Sequence, residues 1–205
     1  MRKTIWIGAL AFAGVLTSVI GLPSLCVAQA VAQTGQSHAT ASQNQQMTAS
    51  QGELLRIVRE STERFKNVSV AESEGYKLVF GCVTGPDAGA MGLHYLKQEF
   101  LDSPPTTANG DIDPRRPQIV IYEPTAGGDV QLTGADFLIF ADAWDKAHPG
   151  NPPQLMGQLF HYFESPNRFG LPAFYTLHVW AWKENPNGAF VNWHPNVSCQ
   201  SYSGR

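Results

Sequence analysis

The sequence is poor in cysteine and has no cluster of positive charge. It contains three cysteines, and its 14 Lys and Arg residues are outnumbered by 17 Asp and Glu residues, which gives a net charge of −3. A surface that binds nucleic acid or an anionic membrane needs grouped Lys and Arg side chains. The sequence therefore argues against both kinds of partner.

Several motifs that identify an enzyme class are also missing. There is no Gly-x-Ser-x-Gly elbow for a serine nucleophile and no His-Glu-x-x-His zinc motif. The glycine-spaced segment 85–92 lacks the Lys and Ser/Thr ending of a phosphate-binding loop and the spacing of a dinucleotide fingerprint. These absences leave open whether the protein is an enzyme.

The amino terminus has the pattern of an export signal. A basic start at Met1-Arg2-Lys3 is followed by an apolar stretch from Ile5 to Leu22, and small residues occupy 28–30. We expect a signal peptide over 1–30, and a retained membrane anchor is the alternative. No later apolar run approaches the roughly 20 residues of a membrane span. Residues 31–51, rich in Ala, Gln, Ser and Thr, are expected to form a flexible linker before one globular domain over 52–205. The predicted location is periplasmic or secreted.

Removal of that leader would leave two cysteines, Cys82 and Cys199. Two thiols in an exported chain usually form a disulfide, because the compartment is oxidising. Binding of a metal by the two thiolates is the alternative interpretation. We predict a structural disulfide.

The hydrophobic pattern predicts an α+β fold. Leu54, Ile57 and Val58 recur at helical spacing behind a capping-box pattern, which predicts a helix from about Glu53 to Lys66. Turn residues at 126–129 separate two strand-like runs over 118–140, as in an antiparallel hairpin. We therefore expect an amino-terminal helix packed on a mainly antiparallel, twisted sheet of about five or six strands. Segment 154–163 fits a short helix or a strand equally well.

The longest strand-like run extends from Gly170 to Trp182 and contains one histidine. Alternation places Phe174, Thr176 and His178 on one face, with apolar bulk on both faces. An unpaired buried imidazole costs about 1–3 kcal/mol. His178 therefore needs a hydrogen-bond partner or a metal.

The order of several short motifs resembles a family of small exported bacterial proteins of unassigned function. The motifs are His94-Tyr95, Tyr122-Glu-Pro124, Gly170-Leu-Pro-Ala-Phe-Tyr175 with Leu177-His-Val-Trp-Ala-Trp182, Asn185-Pro-Asn-Gly188 and Pro195-Asn-Val-Ser-Cys199. The resemblance covers roughly Gly75 to Cys199. It implies bacterial export and carries no activity, fold or ligand.

Histidine and carboxylate side chains near the predicted strands suggest a metal site. Two imidazoles and one carboxylate can form a facial triad suited to iron, or a catalytic zinc site with a bound water. We predict His94, Glu123 and His178 as ligands of one iron, zinc or copper ion, with His161 and His194 as second choices. An open coordination position would permit a hydrolytic or oxygen-dependent role.

Each of these residues also has a structural interpretation. The sequence is equally consistent with a structural role for His94 and His178, in which each bonds a backbone carbonyl or a neighbouring strand. His161 and His194 equally fit the pattern of packing or turn residues. Glu123 precedes a proline, and its alternative partners are Arg168 and Lys183. The metal site is therefore one of two interpretations of the same side chains.

Two other functions stay open. Trp180, Trp182 and Trp193 are candidates for a surface that binds a small aromatic or carbohydrate ligand without catalysis. The remaining alternative is a structural envelope protein without a ligand. The small-molecule partner and the oligomeric state are undetermined by the sequence.

Overall fold

Six antiparallel strands form the sheet on which the remaining elements pack. The computed structural model describes residues 48–204, so the predicted signal peptide and most of the predicted linker lie outside the described residues. The strands are β1 (Tyr76–Gly85), β2 (Gly89–Lys97), β3 (Ile119–Pro124), β4 (Val130–Phe140), β7 (His161–Phe163) and β8 (Phe174–Val179), and β5 (Gln154–Leu155) with β6 (Gln158–Leu159) makes a separate hairpin. The strand order in the sheet is β1-β2-β3-β4-β8-β7. The predicted α+β class with a six-stranded antiparallel sheet is confirmed.

One face of the sheet is covered by the amino-terminal helices. They are α1 (48–62), a 3-10 turn (Glu63–Lys66) and α2 (Val68–Ser73). Leu54 and Val58 of α1 are fully buried against Phe137 and Leu177 of the sheet. Tyr122 donates from its hydroxyl to the Phe65 carbonyl at 2.7 Å, which ties the 3-10 turn to β3. This face is the main hydrophobic core.

The opposite face carries a second apolar cluster. Leu96, Ile119, Ile121, Leu138 and Phe174 lie on this face, and Leu101 of α3 (Gln98–Asp102) packs on them. Phe163, Phe169 and Leu171, from β7 and the segment before β8, complete the cover. Because directly paired residues of neighbouring strands share a face, Asp136, which pairs with Ile119, and His178, which pairs with Asp136, lie under this cover.

The predicted disulfide between Cys82 and Cys199 is confirmed. It joins β1 to the carboxy-terminal segment, across 117 residues of chain. Within 48–204, none of the helices has both the length and the apolar character needed to cross a membrane.

Some boundaries differ from the sequence-based expectations. Residues 48–51, which we assigned to the linker, already belong to α1, and the helix gives way to the 3-10 turn after residue 62. Segment 154–163 forms the β5–β6 hairpin and β7, and 141–147 forms α4 (Ala141–Ala147). In the long run from Gly170 to Trp182, only the residues of β8 pair with neighbouring strands. The backbone N–H of Trp180 instead donates to the Ala189 carbonyl, and that of Trp182 to the Thr133 carbonyl.

Candidate metal centre

Three strands bring two histidines and one aspartate together in the interior. His94 lies on β2, Asp136 on β4 and His178 on β8. Asp136 is directly paired with His178, and on its other side with Ile119 of β3, so the side chains share the face covered by the second cluster. All three are at most 4% exposed. One donor atom from each lies within 4.8 Å of the others.

Asp136 and His178 are the closest pair of the cluster. His178 Nδ1 lies 3.4 Å from Asp136 Oδ2, which is longer than an ordinary N–H···O hydrogen bond. The other carboxylate oxygen, Oδ1, accepts a hydrogen bond from the Thr176 hydroxyl at 2.5 Å. The carboxylate is therefore oriented by Thr176, with Oδ2 directed toward His178.

Neither ring nitrogen of His178 has a hydrogen-bond partner among the described residues. Both nitrogens are buried. Burial lowers the pKa of His178 to about 3, so the ring is neutral near pH 7. A neutral imidazole has one nitrogen with a free lone pair. His178 thus has a nitrogen lone pair that is available to a metal ion, at a buried position where a polar atom without a partner is destabilising.

His94 is held in a defined tautomer. Its Nδ1 lies 3.1 Å from the Gly92 carbonyl oxygen, and a carbonyl can only accept, so Nδ1 carries the proton. The lone pair of the neutral ring is therefore on Nε2. Burial, together with the neighbouring His178, lowers the pKa of His94 to about 4. The His94 and His178 rings meet edge to face, with centroids 5.6 Å apart.

The charge of the group is not balanced by the protein. Burial raises the pKa of Asp136 to about 6, although the Thr176 hydrogen bond and the nearby Leu177 and Phe137 N–H groups favour the ionised form. At pH 7 a buried carboxylate therefore lies beside two neutral imidazoles. Among residues 48–204, no Lys or Arg forms an ion pair with it. A bound cation would supply the missing positive charge.

The donor set and its spacing fit a transition metal ion. Donor atoms that bind one ion at about 2.1 Å lie roughly 3.0–3.4 Å apart. The Nδ1 to Oδ2 distance of 3.4 Å meets this spacing, and one donor atom from each of the three residues lies within 4.8 Å of the others. The group of two imidazoles and one carboxylate could therefore hold a metal ion.

A small cavity borders the cluster. Its volume is about 20 Å³, enough for about one water molecule. His94, Asp136, Thr176 and His178 form its polar side; the rest of the lining is apolar and comprises Phe80, Met91, Ile119, Leu138, Phe163, Phe169, Leu171 and Phe174.

Glu123 is not part of this cluster. Its Oε2 pairs with Lys183 Nζ at 2.5 Å, and its Oε1 accepts from the Ser198 backbone N–H at 3.1 Å. This pair is one of the two alternatives that the sequence left open for Glu123. The carboxylate ties β3 to the carboxy-terminal segment, and Asp136 stands beside His94 and His178 in its place.

The second-choice histidines also lie outside the cluster. His194 is fully buried, but its Nε2 bonds the Glu184 carbonyl at 3.0 Å and its Nδ1 accepts from the Asn196 N–H at 3.0 Å. Both of its nitrogens are therefore used. His161 is exposed on β7, and its Nε2 lies 3.2 Å from the Phe190 carbonyl. Neither is grouped with another potential ligand in the described part of the chain.

The three tryptophans do not share an exposed surface. Trp180 is 2% exposed and donates to the Val191 carbonyl. Trp182 is half-buried, donates to the Thr62 hydroxyl and packs with the helix-side core. The half-buried Trp193 ring packs on Gly85. Each ring is used in packing within the protein.

Asp136 is the ligand candidate that the sequence-based prediction missed. It lies in Gly134-Ala-Asp-Phe-Leu-Ile-Phe140, a run that is otherwise apolar or small. A single carboxylate inside such a strand is a signal in itself, because Asp is almost never fully buried without a partner. The pairing of Asp136 with His178 depends on the register of two strands that are distant in sequence.

Comparison with protein-family models, with curated proteins and with solved structures gives no match. The function of the site is therefore argued from its own geometry and chemistry.

Proposed function

We propose that this protein is an exported metal-binding protein in which His94, Asp136 and His178 hold one transition metal ion. The observation that carries the proposal is the state of His178. Both of its buried ring nitrogens lack a hydrogen-bond partner in the described residues, and an ionised, buried carboxylate lies 3.4 Å away. A cation bound by this group satisfies the lone pair and balances the charge at once.

The donor chemistry selects among metals. Imidazole suits iron, zinc and copper, and a single carboxylate beside two imidazoles is the donor set of non-haem iron and catalytic zinc sites. Three protein ligands leave coordination positions open, and an ion held in this way can polarise a bound water or another small ligand. Thr176 has a supporting role, because its hydroxyl holds Oδ1 and so directs Oδ2 toward the two imidazoles.

Export is supported by the disulfide. Cys82 and Cys199 are joined, and disulfides persist in oxidising compartments such as the periplasm. Within residues 48–204 both cysteines are joined in this bond, so no thiolate of the described chain competes with imidazole and carboxylate for the ion.

Elemental analysis of the protein tests the proposal. The protein is purified without a nickel column, with its disulfide intact, and incubated separately with Fe²⁺, Cu²⁺ and Zn²⁺ before excess metal is removed. We expect about one ion per chain in the parent. His178→Ala and the nearly isosteric Asp136→Asn are expected to lose the ion while keeping the far-ultraviolet circular dichroism of the parent.

Glu123→Gln is the matched control, because Glu123 is the carboxylate that pairs with Lys183 outside the cluster. This variant is expected to retain the ion. A parent protein that stays metal-free with all three ions overturns the proposal, and so does equal loss of metal in Glu123→Gln and Asp136→Asn.

A further inference from the structure

The cavity beside the cluster has a mainly apolar lining. Eight of its twelve lining residues are apolar, and four of these are phenylalanines. In the described residues, the lining includes no Lys, Arg, Asn or Gln, and Asp136 is its one carboxylate. A charged or multiply hydroxylated group in this space would lose its hydration without gaining partners.

We propose that this cavity is a binding site for a small ligand that has one metal-binding donor atom and an otherwise uncharged, apolar body, and that Phe80 is the movable outer wall of the site. This inference rests on the proposed metal site, since the ion supplies the position to which the donor atom binds. It adds the class of ligand, which the donor set alone does not determine.

The volume of the cavity determines which ligands can enter without movement of its wall. At about 20 Å³ it holds a water-sized molecule or a diatomic molecule as it stands. A ligand with an aromatic ring needs more room, so part of the wall must be displaced. Most of the wall is formed by side chains that are buried or half-buried in the second cluster.

Phe80 is the part of the wall that is free to move. It is 45% exposed, whereas every other lining residue is buried or half-buried. It lies in the bulge of β1 between Val79 and Cys82, with φ +63°, a left-handed conformation that is rare for a bulky residue. Its ring meets Phe169 edge to face at 5.4 Å. Backbone strain of this kind is concentrated at ligand sites and switch regions.

Visible absorption of the Co²⁺-loaded protein tests the inference with three pyridines. Pyridine, 4-neopentylpyridine and pyridin-4-ylmethanesulfonate share the donor nitrogen, and the last two differ mainly in the charge of a tetrahedral head group. We expect both neutral compounds to change the cobalt spectrum. The sulfonate is expected to bind at least about tenfold more weakly than 4-neopentylpyridine, because its charge would be desolvated in the apolar cavity.

Two variants test the role of Phe80. Phe80→Ala should raise the affinity for both neutral pyridines, and most for 4-neopentylpyridine, by about tenfold, because the wall no longer has to be displaced and the larger ligand extends furthest into the new space. Tyr162→Ala is the matched control: Tyr162 is 56% exposed and is not among the lining residues. This variant should bind all three compounds as the parent does.

The outcomes distinguish the two proposals. Protein that binds Co²⁺ but gives no spectral change with either neutral pyridine, or that binds the sulfonate as tightly as 4-neopentylpyridine, overturns the inference about the ligand and leaves the metal site standing. Equal effects of Phe80→Ala and Tyr162→Ala overturn the role of Phe80. Protein that binds no Co²⁺ overturns both proposals.

Discussion

Asp136 is a buried carboxylate whose neighbours are neutral. Thr176 donates one hydrogen bond to it, and His94 and His178 beside it have their pKa values lowered to about 4 and about 3 by burial. Ionisation of Asp136 in this environment is unfavourable, as its pKa of about 6 indicates. The residue therefore lowers the stability of the metal-free protein, a cost common to residues that serve a binding site.

Replacement of Asp136 by Asn should stabilise the metal-free protein. We expect Asp136→Asn to raise the free energy of unfolding at pH 8 by about 1–3 kcal/mol, because the variant has no carboxylate to ionise in the interior. The Asn oxygen can still accept from Thr176, and its amide group can donate to His178 Nδ1. Urea unfolding with a chelator present measures the difference.

Addition of zinc should make the parent more stable than Asp136→Asn. At about 1,000 times the dissociation constant, a bound ligand adds about 4.1 kcal/mol to the parent, more than the expected advantage of the variant, and the variant should gain nothing. A metal-free Asp136→Asn protein that is less stable than the parent at pH 8 would contradict this account of the site.

The sequence indicates that His94 and His178 need partners, but it does not show which carboxylate lies beside them. His94 and His178 lie in aromatic and aliphatic runs with strand character, where a buried imidazole needs a partner. The sequence around Glu123, at the end of a predicted strand, is also what we expect around a metal ligand. Its actual partners, Lys183 and Ser198, come from the carboxy-terminal segment, whose path the local sequence does not show. Asp136 reaches His178 through strand register, and register follows from how whole strands pack.

Gly134 determines how closely β4 and β8 approach beside the site. A Cβ atom at this position would lie 2.2 Å from the Val179 carbonyl oxygen, which is backbone and cannot move aside alone. Gly134 precedes Asp136 by two residues on the same face, and Val179 follows His178. The close approach of the two strands therefore sets the Asp136 to His178 spacing.

Gly134→Ala should damage both the sheet and the site. We expect a loss of about 2–4 kcal/mol in the free energy of unfolding, since the added methyl group forces the strands apart. Metal binding should weaken as well, because the donor atoms would separate. Chemical denaturation and zinc titration of the same sample measure the two effects.

Gly52→Ala is the matched control for that substitution. Gly52 lies in α1, and a Cβ atom there meets nothing within 4 Å. Removal of a helical glycine should add about 0.5–1 kcal/mol of stability and leave zinc binding unchanged. If Gly134→Ala behaves like Gly52→Ala, close strand approach is not what aligns the site.

The elements with strong local signals matched the sequence-based prediction, whereas a segment that depends on a distant partner was left open between helix and strand. The hairpin of β3 and β4 is marked by turn residues between two apolar runs, and α1 by apolar residues at helical spacing. The segment from Gln154 to Phe163 has no periodicity that separates helix from strand, and β7 forms because β8 is there to pair with.

The stability of the metal-free molecule should fall in acid with a slope set by the three site residues. In the unfolded chain His titrates near pH 6.5 and Asp near 3.9. Near pH 5 the unfolded chain then holds about two protons, on His94 and His178, whereas the folded protein holds about one, on Asp136. The unfolded state binds more protons, so stability decreases as the pH falls, by about 1.4 kcal/mol per pH unit from these residues.

The Asp136→Asn variant isolates this contribution, since the other titrating groups cancel in the comparison. Without the opposing proton on Asp136, the slope from the site should be about 2.7 kcal/mol per pH unit, roughly double. Urea unfolding of both proteins at intervals from pH 7 to pH 4 gives the two slopes. Parallel curves would show that Asp136 does not take up a proton in this range.

The disulfide should contribute a large share of the stability of the whole molecule. Cys82 and Cys199 are 117 residues apart, and a cross-link over so long a loop restricts the unfolded chain strongly. A Cys82→Ser, Cys199→Ser double variant should lose about 4–5 kcal/mol in the free energy of unfolding. Reduction of the parent should produce a similar loss in urea unfolding, and a loss below about 1 kcal/mol in both would contradict this prediction.

The placement of His94, Asp136 and His178 on β2, β4 and β8 also determines when the proposed ion would be acquired. An unfolded chain keeps these residues far apart, so the donors meet only after three separate strands have been ordered in one sheet. Binding of the ion would therefore follow assembly of the protein. The metal in the site would then come from the supply of the compartment in which the sheet forms, and the same chain refolded in a different supply would carry a different element.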